Sequence, residues 1–242
     1  MLLIFGRLSD KIEQLTNTME IGKLYIVATP IGNLGDITFR AIETLKGVDF
    51  ILCEDTRVTK KLLDHYQINT KTISYHQHSD FKKTKEIINL LNEGKNLALV
   101  TDAGTPGISD PGNMLISDLL RNHINDIIPI PGPSAIVSAL SISGFPTDKF
   151  LFLGFPPHKN KRQKFFKEAV MHDEFTVAFY ESGHRILKCL NELKEYLDPK
   201  RQIILGRELT KQFETIYRGT IDEVMGEMKE ERGEFVVIIN KK

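Results

Sequence analysis

Apolar positions along this chain follow two periods in turn. Short, nearly continuous apolar runs occupy residues 23–29, 49–53, 72–75, 96–101 and 126–130. Runs of this length, rich in Ile, Leu, Val and Phe, predict strands buried on both faces. Between them, apolar residues recur every three or four positions over 37–46, 56–66, 81–91 and 113–121. That spacing predicts helices with one face on a core. In the first the stripe is Ile37, Ala41, Ile42 and Leu45. Asp80 stands at the N-cap position of the third, and Gly94 follows where it should stop. Strand and helix in regular succession predict a mostly parallel sheet covered on both sides.

The pattern changes at Pro131-Gly-Pro133, which breaks the chain ahead of a helix over 134–143. A strand over 150–154, a basic segment, a helix over 161–170, a strand over 175–180 and a helix over 184–196 follow. The runs 202–207 and 213–218 lie too close together for a crossover, so they are expected to pair antiparallel. A helix over 221–230 and a strand over 234–239 come last. The expectation is an α/β protein of two α/β domains: residues 21–131 with a mostly parallel sheet, and 132–242 with a mixed one. Residues 1–20 are read as an N-terminal extension, with Met19 a candidate start. No apolar run approaches the ~20 residues that span a bilayer. The opening Met-Leu-Leu-Ile-Phe is too short for a signal segment, and Arg7, Asp10 and Lys11 follow at once.

Charge refines this picture. The 242 residues hold 32 basic and 32 acidic side chains, a net charge of zero. Residues 1–130 carry 14 basic and 16 acidic groups, and 131–242 carry 18 and 16. A protein that coats nucleic acid by bulk charge is excluded, because such proteins are strongly basic. Positive charge is local instead. Lys159, Lys161, Arg162, Lys164 and Lys167 occur with no acid between Asp148 and Glu168, and Phe165 and Phe166 are interleaved. Such a run is either a solvated helix face or a set of phosphate contacts. Smaller groups are Arg57, Lys60 and Lys61, then Lys82, Lys83 and Lys85. At 41% hydrophobic and 26% charged, the chain is no disordered or fibrous protein. Cys53 and Cys189 form no metal or redox motif and suit a reducing cytoplasm.

The chemistry-bearing residues follow strands. The loops are Thr29-Pro-Ile-Gly-Asn-Leu-Gly-Asp36, Asp102-Ala-Gly-Thr-Pro-Gly-Ile-Ser-Asp-Pro-Gly112 and Pro131-Gly-Pro-Ser-Ala135. Any one of them reads as an ordinary turn. Three at the carboxyl edge of one parallel sheet form a ligand crevice instead, in which glycine lets the backbone approach a ligand. They match neither the dinucleotide fingerprint nor a P-loop. Cys53-Glu-Asp-Thr-Arg57 sets two carboxylates and a guanidinium at another strand end; capping by Asp55 is the simpler reading. In Tyr75-His-Gln-His78 two histidines stand two apart with no identifiable third ligand, so no metal is expected. Phe179-Tyr-Glu-Ser-Gly-His184 brings Ser182 near His184, but no nucleophile-elbow motif surrounds the serine.

Taken in order, these stretches resemble the tetrapyrrole-methylase superfamily. Within it they are similar to the ribosomal small-subunit RNA methyltransferase I group, the 16S rRNA cytidine 2′-O-methyltransferases. The resemblance runs from Gly22 to the end and includes Ser74-Tyr-His-Gln-His78, Phe179-Tyr-Glu-Ser182 and Gly206-Arg-Glu-Leu-Thr210. Corrin-precursor methylases carry a Gly-x-Gly-Pro-Gly-Asp pattern at the first loop, which this chain lacks. Two departures are the residues before the usual family start and the early end after Phe235-Val-Val-Ile-Ile239, without the helical module of some relatives.

The resemblance implies an S-adenosylmethionine enzyme of two α/β domains with the cofactor in the cleft between them, a homodimer acting on small-subunit ribosomal RNA or the ribosomal particle. Carried over by position, it implies cofactor contacts from Pro30, Asp102, Gly104, Thr105, Ser134 and Ala135, and from Tyr180, Glu208 and Gly219. Glu54, Asp55 and His76 become candidates for the base that takes the ribose proton, with Arg57 orienting a carboxylate or phosphate. Lys159, Lys161, Arg162 and Lys164 become candidate RNA contacts. The rival readings are a tetrapyrrole methylase, favoured by a large apolar trough, and a non-catalytic RNA-binding or assembly module.

Overall fold

A computed structural model of the chain describes residues 20–76 and 81–242. The expectations for the N-terminal extension, for His78 and for Asp80 as a cap lie outside these residues. The described chain forms two compact units.

The first unit takes the described residues up to Val27, then Thr38–Asp102 and Pro106–Pro131. Its strands are β1 (Leu24–Val27), β2 (Phe50–Cys53), β3 (Lys71–Ser74), β4 (Leu97–Leu99) and β5 (Ile127–Ile130). All its pairings are parallel, in the order β3-β2-β4-β1-β5. Helices α1 (Phe39–Gly47), α2 (Thr56–His65), α3 (Phe81–Asn92) and α4 (Asn113–Arg121) connect the strands. The apolar runs are continuous because these strands are buried: Ile51, Leu52, Leu97 and Ala98 are wholly inaccessible. Thr38 caps α1 by accepting from the Ala41 N–H at 3.1 Å, and Asp55 caps α2.

The second unit comprises Gly132–Lys242 and two short segments of the first half, Ala28–Ile37 and Ala103–Thr105. Its sheet runs β6-β7-β10-β8-β9, from β6 (Phe150–Phe152), β7 (Thr176–Ser182), β8 (Gln202–Arg207), β9 (Thr215–Thr220) and β10 (Glu234–Ile239). Only β6 and β7 pair parallel, and β8 and β9 pair antiparallel as their spacing requires. Side chains alternate strictly across this sheet. Val177, Phe179, Ile203, Leu205, Phe235, Val237 and Ile239 face one apolar cluster. It is covered by α6 (Arg162–Met171), α7 (Gly183–Lys194) and α8 (Ile221–Glu227). Ala178, Ile204, Val236 and Ile238 face the other, shared with Ile136, Ala139 and Leu140 of α5 (Ala135–Ser141). Ile31 belongs to this second cluster, which is why the loop after β1 packs with the second unit. Thr29 and Gly104 tie the two short segments together through a two-bond antiparallel bridge of 2.9 and 3.1 Å.

Candidate active site

The strand order of the first sheet makes one site. Because β2 lies between β3 and β4, the residues following these three strands meet at one edge. Glu54, Asp55, Thr56, Arg57, Ser74, His76 and Asp102 line an open hollow of about 370 Å³ there. All four candidate catalytic residues are in it, joined by Asp102.

Within it the side chains differ in freedom. Asp55 is held four ways: it accepts from the Arg57 N–H at 2.8 Å and receives the guanidinium through both oxygens, the shortest contact being 2.6 Å. The Arg57 guanidinium, helped by its backbone N–H, keeps the Asp55 carboxyl well below the usual carboxylate range. A carboxylate so satisfied is a weak proton acceptor, so Asp55 is a cap and an anchor for Arg57. The rest of Arg57 is turned to solvent, its side chain 88% exposed. The Asp55 N–H donates to Asp102 at 3.3 Å, which ties the end of β2 to the end of β4. The Ser74 hydroxyl lies 2.8 Å from Nε2 of His76. Glu54 makes no hydrogen bond or ion pair among the described residues. Of the sequence-based candidates for the base, Glu54 and His76 are the two in the hollow that no arginine engages among the described residues. Ser74 is absent from the sequence-based candidates. Its signal is the spacing, since residues two apart on extended chain point the same way.

Most of the expected cofactor contacts gather in the second unit, around the cluster containing Ile31. Pro30 is buried beside it. Gly104 is bridged to Thr29, has φ +82°, and a Cβ there would lie 3.5 Å from Ile31 and 4.0 Å from the Pro133 carbonyl oxygen. Thr105 follows it, Ser134 is the N-cap of α5 with its hydroxyl making no cap bond, and Ala135 packs on the same cluster. Tyr180 lies there too, its ring 4.9 Å from that of Phe152. Glu208 follows β8 next to Leu209, another member. Its Oε1 accepts from Lys211 Nζ and the Glu234 N–H, both at 2.9 Å. Burial pushes this carboxyl up, but the ammonium and the N–H outweigh it and hold it below its usual range.

Gly219 is not brought to this group. It pairs with Ile203, at the other end of the β8–β9 ladder from Glu208. A Cβ there would meet the Glu223 carboxylate at 2.7 Å, the group that closes the capping box of α8. Its glycine serves that cap. Arg162 also departs from expectation. Its side chain is 6% exposed and ion-paired to Glu181 and Glu192, so it has no face for phosphate. Lys159, Lys161 and Lys164 are exposed and make no ion pair among the described residues. Ser182 accepts from Arg185 Nε at 3.0 Å, so it is a structural group. Among the described residues no three His, Cys, Asp or Glu gather as a metal site, and no helix is long and apolar enough to cross a membrane.

Residues 23–225 match the family model of the tetrapyrrole (corrin/porphyrin) methylases. Over 90% of its length the chain is 47% identical to "Ribosomal RNA small subunit methyltransferase I" of Synechocystis sp., covering 79% of that protein. The chain belongs to the tetrapyrrole methylase family, in its ribosomal RNA small subunit methyltransferase I group. The protein of the same name from Bacillus subtilis is 46% identical over 91% of this chain and 75% of its own. That from Thermotoga maritima is 43% identical over 92% of this chain and 100% of its own. Among solved structures, the methyltransferase CobJ superposes with a TM-score of 0.67 at 20% identity, covering 91% of this chain and 94% of its own. Uroporphyrin-III-C-methyltransferase from Thermus thermophilus gives 0.64 at 18%, over the same shares. These two show that the methylase-family chain shares their fold.

Proposed function

We propose that this protein is an S-adenosylmethionine-dependent methyltransferase that modifies the 2′-oxygen of a cytidine ribose in small-subunit ribosomal RNA. The observation that carries this reading is near-half identity, over nine-tenths of the chain, to proteins named for ribosomal RNA methylation. The hollow adds chemical support. It is polar and open, as suits a ribose and its phosphates, and it is no apolar trough for a tetrapyrrole.

The residues present fit the cofactor. Ile31, Ile136 and Leu209 offer an apolar floor for an adenine ring. Gly104, in a left-handed conformation, keeps the backbone at that floor bare of a side chain. Pro30, Thr105, Ser134, Ala135, Tyr180 and Glu208, all of the second unit, would complete the grip. S-adenosylmethionine supplies an electrophilic methyl group, so the protein must supply position and proton transfer. Arg57, anchored by Asp55, holds a phosphate of the substrate. Glu54 or His76 would take the proton from the 2′-hydroxyl, and the Ser74 contact would orient the imidazole. Lys159, Lys161 and Lys164 contact further phosphates of the same RNA.

The test is product analysis. Small-subunit RNA lacking the modification is incubated with the protein and methyl-labelled S-adenosylmethionine, then digested to nucleosides. The label is expected in 2′-O-methylcytidine; label in a methylated base overturns the assignment.

A further inference from the structure

The second unit buries more charge than its sheet requires. Arg162, Glu181, Arg185 and Glu192 form one connected group in which the Glu181 side chain is inaccessible and Arg185 is 14% exposed. Glu181 lies at the end of β7. It accepts from Arg185 at 2.5 Å and from the Ser182 N–H at 2.8 Å, and Arg162 reaches it at 3.5 Å. Glu192, on α7, takes the Nε of Arg162. Glu181 is thus buried between two arginines, while Glu192, its side chain 27% exposed, also pairs with Lys188 at 3.9 Å; burying such charges contributes little net stability compared with apolar side chains of the same size.

Arg185 Nε donates to the Ser182 hydroxyl at 3.0 Å, and one further nitrogen of each arginine reaches a single segment. Arg162 Nη1 donates to the Pro157 carbonyl at 3.1 Å, and Arg185 Nη1 to the Pro156 carbonyl at 3.4 Å. Arg185 Nη1 also lies 3.2 Å from Nδ1 of His158. All three partners belong to the segment between β6 and α6, which carries Lys159 and Lys161 and leads into Lys164. Arg162 further stacks over the Phe166 ring at 5.2 Å, fixing the first turn of α6. Lys161 itself has φ +67°, a left-handed conformation that its surroundings must hold in place. A guanidinium offers five donors in a rigid plane, so one arginine can grip a buried carboxylate and a loop carbonyl together; an ammonium cannot reproduce that geometry.

We propose that Glu181 and Arg185 are positioning residues for RNA contact. From beneath, they hold residues 156–161 in the one conformation that presents Lys159, Lys161 and Lys164 to the phosphates of a folded RNA. This rests on the ribosomal RNA reading above. A loop already ordered gives up less conformational entropy on binding, which is the gain the network provides.

The experiment uses the full chain with Arg185→Lys, which keeps the charge beside Glu181, and Arg185→Met. Three quantities are measured against small-subunit RNA: hydrogen exchange of residues 155–161, RNA affinity across a salt series, and the KM and kcat of methyl transfer with cofactor affinity. Both variants are expected to exchange faster in that segment. RNA affinity should fall roughly tenfold, with a salt slope flatter by about 1 for every phosphate the lysines no longer reach. KM should rise while kcat and cofactor affinity hold. Lys159→Ala with Lys161→Ala, added to Arg185→Lys, should cost little more, because the lysines act through the same loop. If Arg185→Met does not fold, Arg185→Lys decides. Unchanged exchange, faster exchange with unchanged RNA affinity, or fully additive losses each overturn the proposal while wild-type methylation of RNA still stands. If the wild-type protein neither binds nor methylates the RNA, the functional reading has failed, and the positioning role falls with it.

Discussion

Glu54 and Asp55 are neighbours in sequence with different surroundings. Asp55 is engaged by its own helix and by Arg57, which leaves its carboxylate little appetite for a proton. Glu54 faces the same hollow uncommitted among the described residues. By sequence both are equal candidates, because composition at a strand end cannot say which carboxylate a cap will consume. Replacing Glu54 by Gln and His76 by Ala singly identifies the base. The one that accepts the proton is expected to lower methyl transfer at saturating cofactor by about 10²–10⁴-fold with little change in RNA affinity. Near-normal turnover in both variants would show that positioning alone supports the reaction. Arg162 teaches the complementary lesson. In a run of five basic residues it looks like the rest, yet it is the one that turns inward to Glu181 and Glu192.

At the scale of elements, strands and helices are legible because their periods are set locally. The helix at Asn113–Arg121 and the strands at Gln202–Arg207 and Glu234–Ile239 fall where the pattern places them. What pattern cannot give is strand order. The insertion of β4 between β2 and β1 is what delivers Asp102 to the ends of β2 and β3, and no local signal encodes it. The loops are legible as unusual but not as partners. That Ala28–Ile37 packs with Gly132–Lys242 depends on Ile31 meeting Ile136 and Leu209, contacts between residues more than a hundred positions apart. Gly104 is the joint of that arrangement. Its φ of +82° is left-handed, so Gly104→Ala is expected to destabilise the second unit by about 1–2 kcal/mol. The same change should weaken S-adenosylmethionine binding by loosening the Thr29 bridge. Thermal unfolding and calorimetric titration of the variant check both; wild-type cofactor affinity would detach this loop from the cofactor site.

For the whole molecule, zero net charge at first argues against a nucleic-acid binder. With the structure in hand it defines what kind of binder is consistent with the chain. Three exposed lysines on a braced segment, and one arginine at the hollow, are enough for a few phosphate contacts and too few to coat a strand. Affinity for free RNA should be modest, and recognition should depend on a shaped site that offers phosphates and a ribose together. The fold does not decide the substrate, since its neighbours in structure include a uroporphyrin methylase and share about a fifth of its residues. One measurement separates the two chemistries directly. The protein is given methyl-labelled S-adenosylmethionine together with undermethylated small ribosomal subunits and uroporphyrinogen, and the label is traced. We predict that it enters the RNA alone, at a single cytidine ribose; label in the tetrapyrrole, or none in RNA, would contradict the account.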